Sequence, residues 1–441
     1  MATHTQSLRI GLVLQLVYTA LYAVLTLYIA AHFGATVRGY LSTYSTSVYI
    51  FTLVGCMGLG SSITHFVAQD AKAARAVLSR VLVWSTLIFV SLMAILTLSS
   101  TVGLSWAFTG TSNKTVIAAL ALHAACTVLY TLLTAIFASQ QRYAEALVVL
   151  IIQIVLSLVF VYLNNTINHS GFSDIDTHAY LVHILALCYA LPVIVFAVYA
   201  IKQFGLAKQM PQHLMQNMLH YAKQIFTSNL VQTLVVRSDI WFMTWIGVAA
   251  AQTGAYSIAA LTAQMWWILP NQAATMFFTK ASKIQHVNTK AIATCTRAIL
   301  WYSMPILLLA AACSFYIVPI VLGEGYTTTP TYFLLLVPGV IMLSASLLIS
   351  AWHAANDKIR INLNGSLLGL GICVLGYILH IPSGQAMAAA IVSSIAYTAT
   401  CLYYFAAFCK QYDMRMGDLL LPKGISPSQV KEAWWLLNRE V

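Results

Sequence analysis

Arg237-Ser238-Asp239 is the place where opposite charges interrupt an apolar run, between Leu234-Val235-Val236 and Ile240-Trp241-Phe242. Charge in such surroundings is expensive and usually faces a polar cavity or a partner. The two residues stand at i and i+2, on different sides of a helix, so a mutual salt bridge is not the default. A guanidinium there suits the grip of an anionic group. A carboxylate whose solvation changes can take up and release a cation. Asp239 is therefore a candidate to hold and release a proton or cation, and Arg237 for contact with an anion. A structural role fits the same residues, as anchors to other helices or as an arginine snorkelling to an interface.

Fewer signals surround this pair. Arg38 falls in an expected turn near the start of the chain, and Lys114 just before a later apolar run. Both suit the mouth of a polar cavity, and both also suit an ordinary interfacial cation. Gln15, Gln232, Gln264 and Asn271 are costly in apolar stretches unless they are paired or wetted. Pro270, behind Trp266-Trp267, removes a backbone donor and should bend its helix, as a gate or simply as shape. His123, His183 and His353 could relay protons but more often serve packing. No P-loop, HExxH or GxSxG pattern is present. The eight cysteines form no CxxC pair, so neither a metal site nor a disulfide framework is expected.

The elements that must carry these residues follow from the spacing of charge. The chain has 441 residues, 60% hydrophobic and 7% charged, against about 25% charged in soluble domains. Stretches without Asp, Glu, Lys or Arg run over 10–37, 39–69, 81–113, 115–141, 146–173, 177–201, 240–279, 298–323, 325–356 and 361–409. A spanning helix needs about 20 apolar residues and a barrel strand about 10, so helices are expected. Twelve spans are predicted, at roughly 8–30, 41–64, 78–98, 115–138, 144–163, 178–201, 219–246, 253–278, 295–320, 329–352, 360–380 and 385–408, with a turn at His380–Gly384 dividing the last two.

Orientation comes from the short loops. With the N-terminus in the cytoplasm, 19 Lys and Arg fall inside, only Arg38 and Lys114 fall outside, and Arg237 is left in a span. Both termini are then cytoplasmic. The same asymmetry accounts for the net charge of +11 without a nucleic-acid partner. No secretory signal peptide is evident, and the first apolar run is kept as a helix.

The fold class expected is all-α: a polytopic membrane protein with twelve helices in two six-helix lobes. The N-terminal lobe covers 1–203, a cytoplasmic linker 204–218, the C-terminal lobe 219–410, and a tail with a short amphipathic helix 411–441. Phe33-Gly34 with Gly39-Tyr40 echoes Ile246-Gly247 with Gly254-Ala255-Tyr256, a faint sign of duplication.

Three pieces then carry a family resemblance. They are Gly55-Cys56-Met57-Gly58-Leu59-Gly60; Arg237-Ser238-Asp239 with Gly254-Ala255-Tyr256 and Ile268-Leu269-Pro270-Asn271-Gln272; and Val321-Leu322-Gly323-Glu324-Gly325-Tyr326 with Pro338-Gly339 and Pro382–Ala390. In their order the chain resembles the oligosaccharide flippases, or polysaccharide transporters, of the multidrug/oligosaccharidyl-lipid/polysaccharide exporter superfamily. The resemblance implies two lobes around a central cavity and a transporter, not an enzyme, working by alternating access in a bacterial inner membrane without a cofactor. Its cargo would be a polyprenyl-pyrophosphate-linked oligosaccharide such as an O-antigen repeat, moved outward by ion antiport, with Asp239 as the coupling site and H+ or Na+ as the ion. Membrane lipids and glycan-assembly proteins would be its partners. The chain departs from the family habit of several cavity cations, which leaves the charge of the glycan open. A cation-coupled multidrug exporter is the alternative, and a membrane glycan polymerase a weaker one.

Overall fold

A computed structural model describes all residues except 1, 112, 167–172, 208, 282–287, 357 and 440–441. The described residues are almost entirely helical and include no strand. Lys208 and Lys283, counted above with the cytoplasmic cations, lie outside them. Two compact units divide the chain, Met1–Leu230 and Val231–Val441.

The first unit opens with α1 (Ala2–Cys56), broken at Gly34 (φ 80°, ψ 175°). Open space surrounds the position where a Cβ would stand, so the backbone angle alone calls for glycine. The expected turn around 31–40 is thus one residue wide, and Arg38 sits inside a helix. A second break follows where an unbroken span 41–64 was expected. Met57 (φ 45°) and Gly58 (φ 74°) separate α1 from α2 (Leu59–Gln69). A Cβ on Gly58 would lie 2.4 Å from the Ala222 carbonyl oxygen, so the break lets two backbones touch.

The unit continues with α3 (Ala73–Thr101), the short α4 (Trp106–Thr109), α5 (Val116–Ser139), α6 (Tyr143–Thr166) and α7 (Asp174–Phe204). Ser173 caps α7, its Oγ accepting from the Asp176 N–H and donating to the Asp176 carboxylate. Two buried clusters fill the unit, and α5 belongs to both. Leu120 and Ala124 pack with Leu41 and Val182, while Leu132 and Ile136 pack with Ile63 and Val193. The many alanines of α5 allow this close approach on all sides. By contrast α3 and α7 turn large aliphatic side chains outward, Leu98 at 67% and Val195 at 68% exposed, as a lipid-facing surface requires.

Helix α8 (Gln212–Ile246) contributes residues to both units and is already helical over the last part of the expected 204–218 linker. It ends in a Schellman motif. Gly247 takes φ 87°, and the Gly247 and Val248 N–H groups donate to the Thr244 and Met243 carbonyls. The second unit then holds α9 (Ala250–Trp266), α10 (Ile268–Ala281), α11 (Thr289–Leu322), a 3-10 turn (Glu324–Tyr326), α12 (Thr329–Ala355) and α13 (Ile359–Tyr412). Two tail helices follow, α14 (Gly417–Leu420) and α15 (Pro427–Arg439). The turn expected over 380–384 is in fact helical, and α13 breaks one residue later at Gln385 (φ 54°, ψ −141°). Helix α12 packs on α13 through Gly339, where a Cβ would come within 2.5 Å of the Ser394 Cα.

Among the described residues, eight helices are long and apolar enough to cross a membrane. Two of them run for 44 and 54 residues and contain the breaks at Gly34 and Gln385. At about 1.5 Å per residue each exceeds twice the roughly 30 Å hydrocarbon core. The chain is an all-α, multi-pass membrane protein. The polar α8 and the broken α9–α10 pair fall outside this apolar set, and they carry the candidate site.

Candidate functional site

Asp239 lies on α8 and is 3% exposed. Its Oδ1 accepts from the Ile240 N–H at 2.8 Å, and its Oδ2 accepts from the Tyr256 hydroxyl of α9 at 2.5 Å. Charge-assisted O–H···O contacts of this length are the strong ones. They are what a carboxylate needs in a span, where the same group unpaired would be very costly.

The contact is the head of a buried polar chain. The Tyr256 hydroxyl stands 3.4 Å from Ser393 Oγ, which is 2.8 Å from the Tyr377 hydroxyl. One turn beyond Ser393, the Tyr397 hydroxyl donates to the Val236 carbonyl at 3.5 Å. One turn before Tyr377, the Cys373 thiol points at the Val235 carbonyl at 3.7 Å. Both halves of α13 therefore lay polar groups along the stretch of α8 that carries Asp239. Arg237 is half-buried there and acts electrostatically on both Asp239 and Tyr397.

This arrangement has a definite chemistry. One carboxylate oxygen faces a single phenol, and the phenol can donate to a carboxylate or accept from a carboxylic acid. The site can thus hold Asp239 in either protonation state with little rearrangement, and the hydroxyls of Ser393 and Tyr377 extend the relay.

A second feature stands on α9–α10. Helix α9 stops at Trp266 and α10 starts at Ile268. Pro270 has no N–H to offer the Trp266 carbonyl and its ring crowds that group. The chain tightens at Trp267, whose N–H turns to the Gln264 carbonyl (3.0 Å), and the helical bonding resumes with the Asn271 N–H on the Trp267 carbonyl (2.9 Å). The Trp267 ring meets Tyr397, with centroids 5.9 Å apart, which joins the break to the Asp239 network. The other tryptophan, Trp266, donates from its indole to Ser303 of α11 at 3.0 Å. The tail covers the same region. The Trp301 indole donates to the Leu420 carbonyl and the Tyr302 hydroxyl to the Ile425 carbonyl. A cavity of about 280 Å³ lies between Pro270, Tyr302 and Trp434 of α15.

The candidates named from the sequence divide accordingly. Arg237 and Asp239 share the network. Gln264, Pro270 and Asn271 stand at the break, with Asn271 exposed, and half-buried Gln232 lies further back on α8. The remaining three belong to the first unit. Gln15 is half-buried on α1, Lys114 is exposed ahead of α5, and Arg38 is buried. Nearby in that unit the Tyr44 hydroxyl donates to the Ala119 carbonyl (3.2 Å) and stands 3.1 Å from His123 Nδ1. Residues not singled out beforehand are Tyr377, Ser393 and Tyr397. For Ser393 and Tyr397 the signal was present in the run Ser393, Tyr397, Thr400, Tyr404, a polar stripe at helical spacing down one face of the last span.

The sequence model of a family described as "polysaccharide biosynthesis protein" matches residues 38–330. The chain belongs to that family. This member of the polysaccharide biosynthesis protein family matches no curated protein. Among solved structures it is similar to the lipid II flippase MurJ in an inward closed conformation, with TM-score 0.76 and 12% identity, covering 98% of this chain and 93% of that one. An inward-facing multidrug resistance MATE family transporter of the MOP superfamily gives TM-score 0.66 at 13% identity, covering 90% and 94%. The Vibrio cholerae MATE transporter VcmN in its bent form gives 0.54 at 13%, covering 95% and 100%. Identities this low establish the fold, which this family member shares with MOP-superfamily transporters.

Proposed function

We propose that the protein is a flippase that moves a polyprenyl-pyrophosphate-linked oligosaccharide, such as an O-antigen or other surface-glycan repeat, from the cytoplasmic to the outer leaflet of a bacterial inner membrane. The observation that carries the reading is a carboxylate buried in a helix of the membrane fold and held by a tyrosine hydroxyl. Asp239 takes the coupling ion, H+ or Na+, and transport proceeds by alternating access. Arg237 faces the anionic part of the cargo, with Arg38, Lys114, Gln15, Gln232, Gln264 and Asn271 as further contacts, and the α9–α10 break at Pro270 bends as a gate. Family membership supports the glycan cargo, and so does likeness to a protein named for flipping lipid II. Twelve crossings with both ends cytoplasmic, counting α8 and α9–α10, agree with the loop charges. The lobes proposed are 1–203 and 219–410, and glycan-assembly proteins are the expected partners.

A second reading is a cation-coupled small-molecule exporter, which likeness to multidrug MATE transporters favours. The test is crossing of a polyprenyl-pyrophosphate-linked glycan in proteoliposomes, with and without an imposed proton or sodium gradient. Crossing stimulated by one gradient is expected. Folded, inserted protein that moves none of several glycans would instead favour the exporter.

A further inference from the structure

A groove of the first unit lies far along the chain from the Asp239 network. It occupies about 490 Å³ between α6 and α7. Its walls are Ile152 and Leu156 on one helix and Leu191 and Val195 on the other, and Glu145 and Tyr199 close one end. Ile152, Leu191 and Val195 are 47%, 59% and 68% exposed, so the groove opens sideways from two spanning helices toward lipid. Along α6 it runs from Glu145 to Leu156, about 16 Å at the helical rise. The walls offer no polar group to an extended peptide, which would lie there with its N–H and C=O groups unsatisfied. An occupant with a long apolar part and one polar end is what the groove accepts.

The closed end is built rather than incidental. Arg142 meets Glu145 in a bidentate pair, Nε to Oε1 at 2.6 Å and Nη2 to Oε2 at 2.9 Å. The Tyr199 hydroxyl donates to Glu145 Oε2 at 2.9 Å and accepts from Arg142 Nη2 at 2.8 Å. The guanidinium also lies over the Phe137 ring, 5.2 Å from its centroid. The backbone holds this geometry, because Gln141 takes φ 63° and the Arg142 N–H donates to the Phe137 carbonyl. The hydrogen bond to Glu145 raises the Arg142 pKa, so the guanidinium stays charged. Among the described residues, Nη1 of Arg142, with two N–H groups, makes no hydrogen bond, and Glu145 keeps lone-pair capacity beyond the three bonds it accepts.

One uncommitted cationic edge beside one anionic acceptor complements a zwitterion. We propose that this groove is a binding site for a phospholipid with a primary ammonium headgroup, phosphatidylethanolamine in chemical class. One acyl chain lies between α6 and α7, the phosphate accepts from Arg142 Nη1, and the ammonium donates to Glu145. A choline headgroup has no N–H to donate. An anionic glycerol headgroup places a second negative charge beside Glu145 without the ammonium. The loop carrying Arg142 belongs to the cytoplasmic side in the charge assignment, so the lipid belongs to the inner leaflet.

The test is native mass spectrometry of the full-length protein released from vesicles containing equal phosphatidylethanolamine, phosphatidylcholine and phosphatidylglycerol, with a polyprenyl phosphate added in a second series. The wild type should retain phosphatidylethanolamine preferentially. Glu145→Gln should lower that retention about tenfold, as expected for losing one charge-assisted hydrogen bond. Ile152→Trp, which fills the groove and leaves the polar end intact, should abolish retention and keeps the test open if Glu145→Gln folds poorly. Equal retention of all three lipids, a preference for phosphatidylglycerol or the polyprenyl phosphate, or undiminished retention in Ile152→Trp would overturn the proposal.

Discussion

Each unit buries a tyrosine shortly after a glycine break, and the two tyrosines do different things. Tyr44 lies ten residues after Gly34, and Tyr256 nine after Gly247. Both are essentially inaccessible. Tyr44 is satisfied by a carbonyl and an imidazole, which can be neutral at little cost inside a membrane fold. Tyr256 is committed to the carboxylate of Asp239. A buried carboxylate is a poor way to gain stability and a good way to hold an exchangeable ion. The comparison teaches that a shared local scaffold satisfies a neutral hydroxyl in one unit and holds a buried carboxylate in the other.

The largest effect expected from breaking this contrast is Tyr256→Phe. Asp239 Oδ2 then loses its hydroxyl donor while staying buried, and destabilisation of about 3 kcal/mol is expected, together with loss of transport. Tyr44→Phe removes a neutral hydrogen bond and should cost about 1 kcal/mol. Thermal unfolding of both variants in one detergent checks the difference, and equal losses would mean the two tyrosines are equivalent.

Next comes the glycine pair of the first unit. Gly58→Ala should cost about 2–3 kcal/mol, because it adds a left-handed backbone penalty to a Cβ driven into the Ala222 carbonyl. Gly34→Ala meets open space and should cost only about 1–2 kcal/mol, from the backbone alone. A melting-temperature series would contradict this order if Gly34→Ala proved the worse.

The smallest effect on folding is expected from Arg237→Ala, since Arg237 is half-buried and Asp239 keeps its two donors. Abundance and melting should stay near wild type while glycan crossing falls about tenfold, the scale of one lost charged hydrogen bond. Unchanged crossing would remove Arg237 from the mechanism.

Much of the architecture was legible because it rests on local sums. Long apolar runs impose membrane helices, and Gly34 and Gly247 mark breaks that glycine alone makes cheap. What was not legible depends on tertiary contact. Gln385 takes a left-handed backbone without any residue signal, so Pro382 and Gly384 drew the expected turn too early. The break at Met57-Gly58 follows from the backbone of α8 lying against it, over 160 residues later. Asp239 could be picked out because charge is scarce in apolar sequence. Its partner Tyr256 was one polar residue among many on its span, and Ser393 and Tyr377 reach it only through the folding of α13.

The central claim is that Asp239 couples an ion gradient to transport, and Asp239→Asn tests it most directly. The amide keeps the shape and an acceptor for Tyr256 but cannot exchange a proton or carry charge. In proteoliposomes with matched, correctly inserted protein, wild-type crossing of the lipid-linked glycan should rise when a proton or sodium gradient is imposed. Crossing by Asp239→Asn should be the same with the gradient or without it. A variant that responds to the gradient as the wild type does would contradict the account.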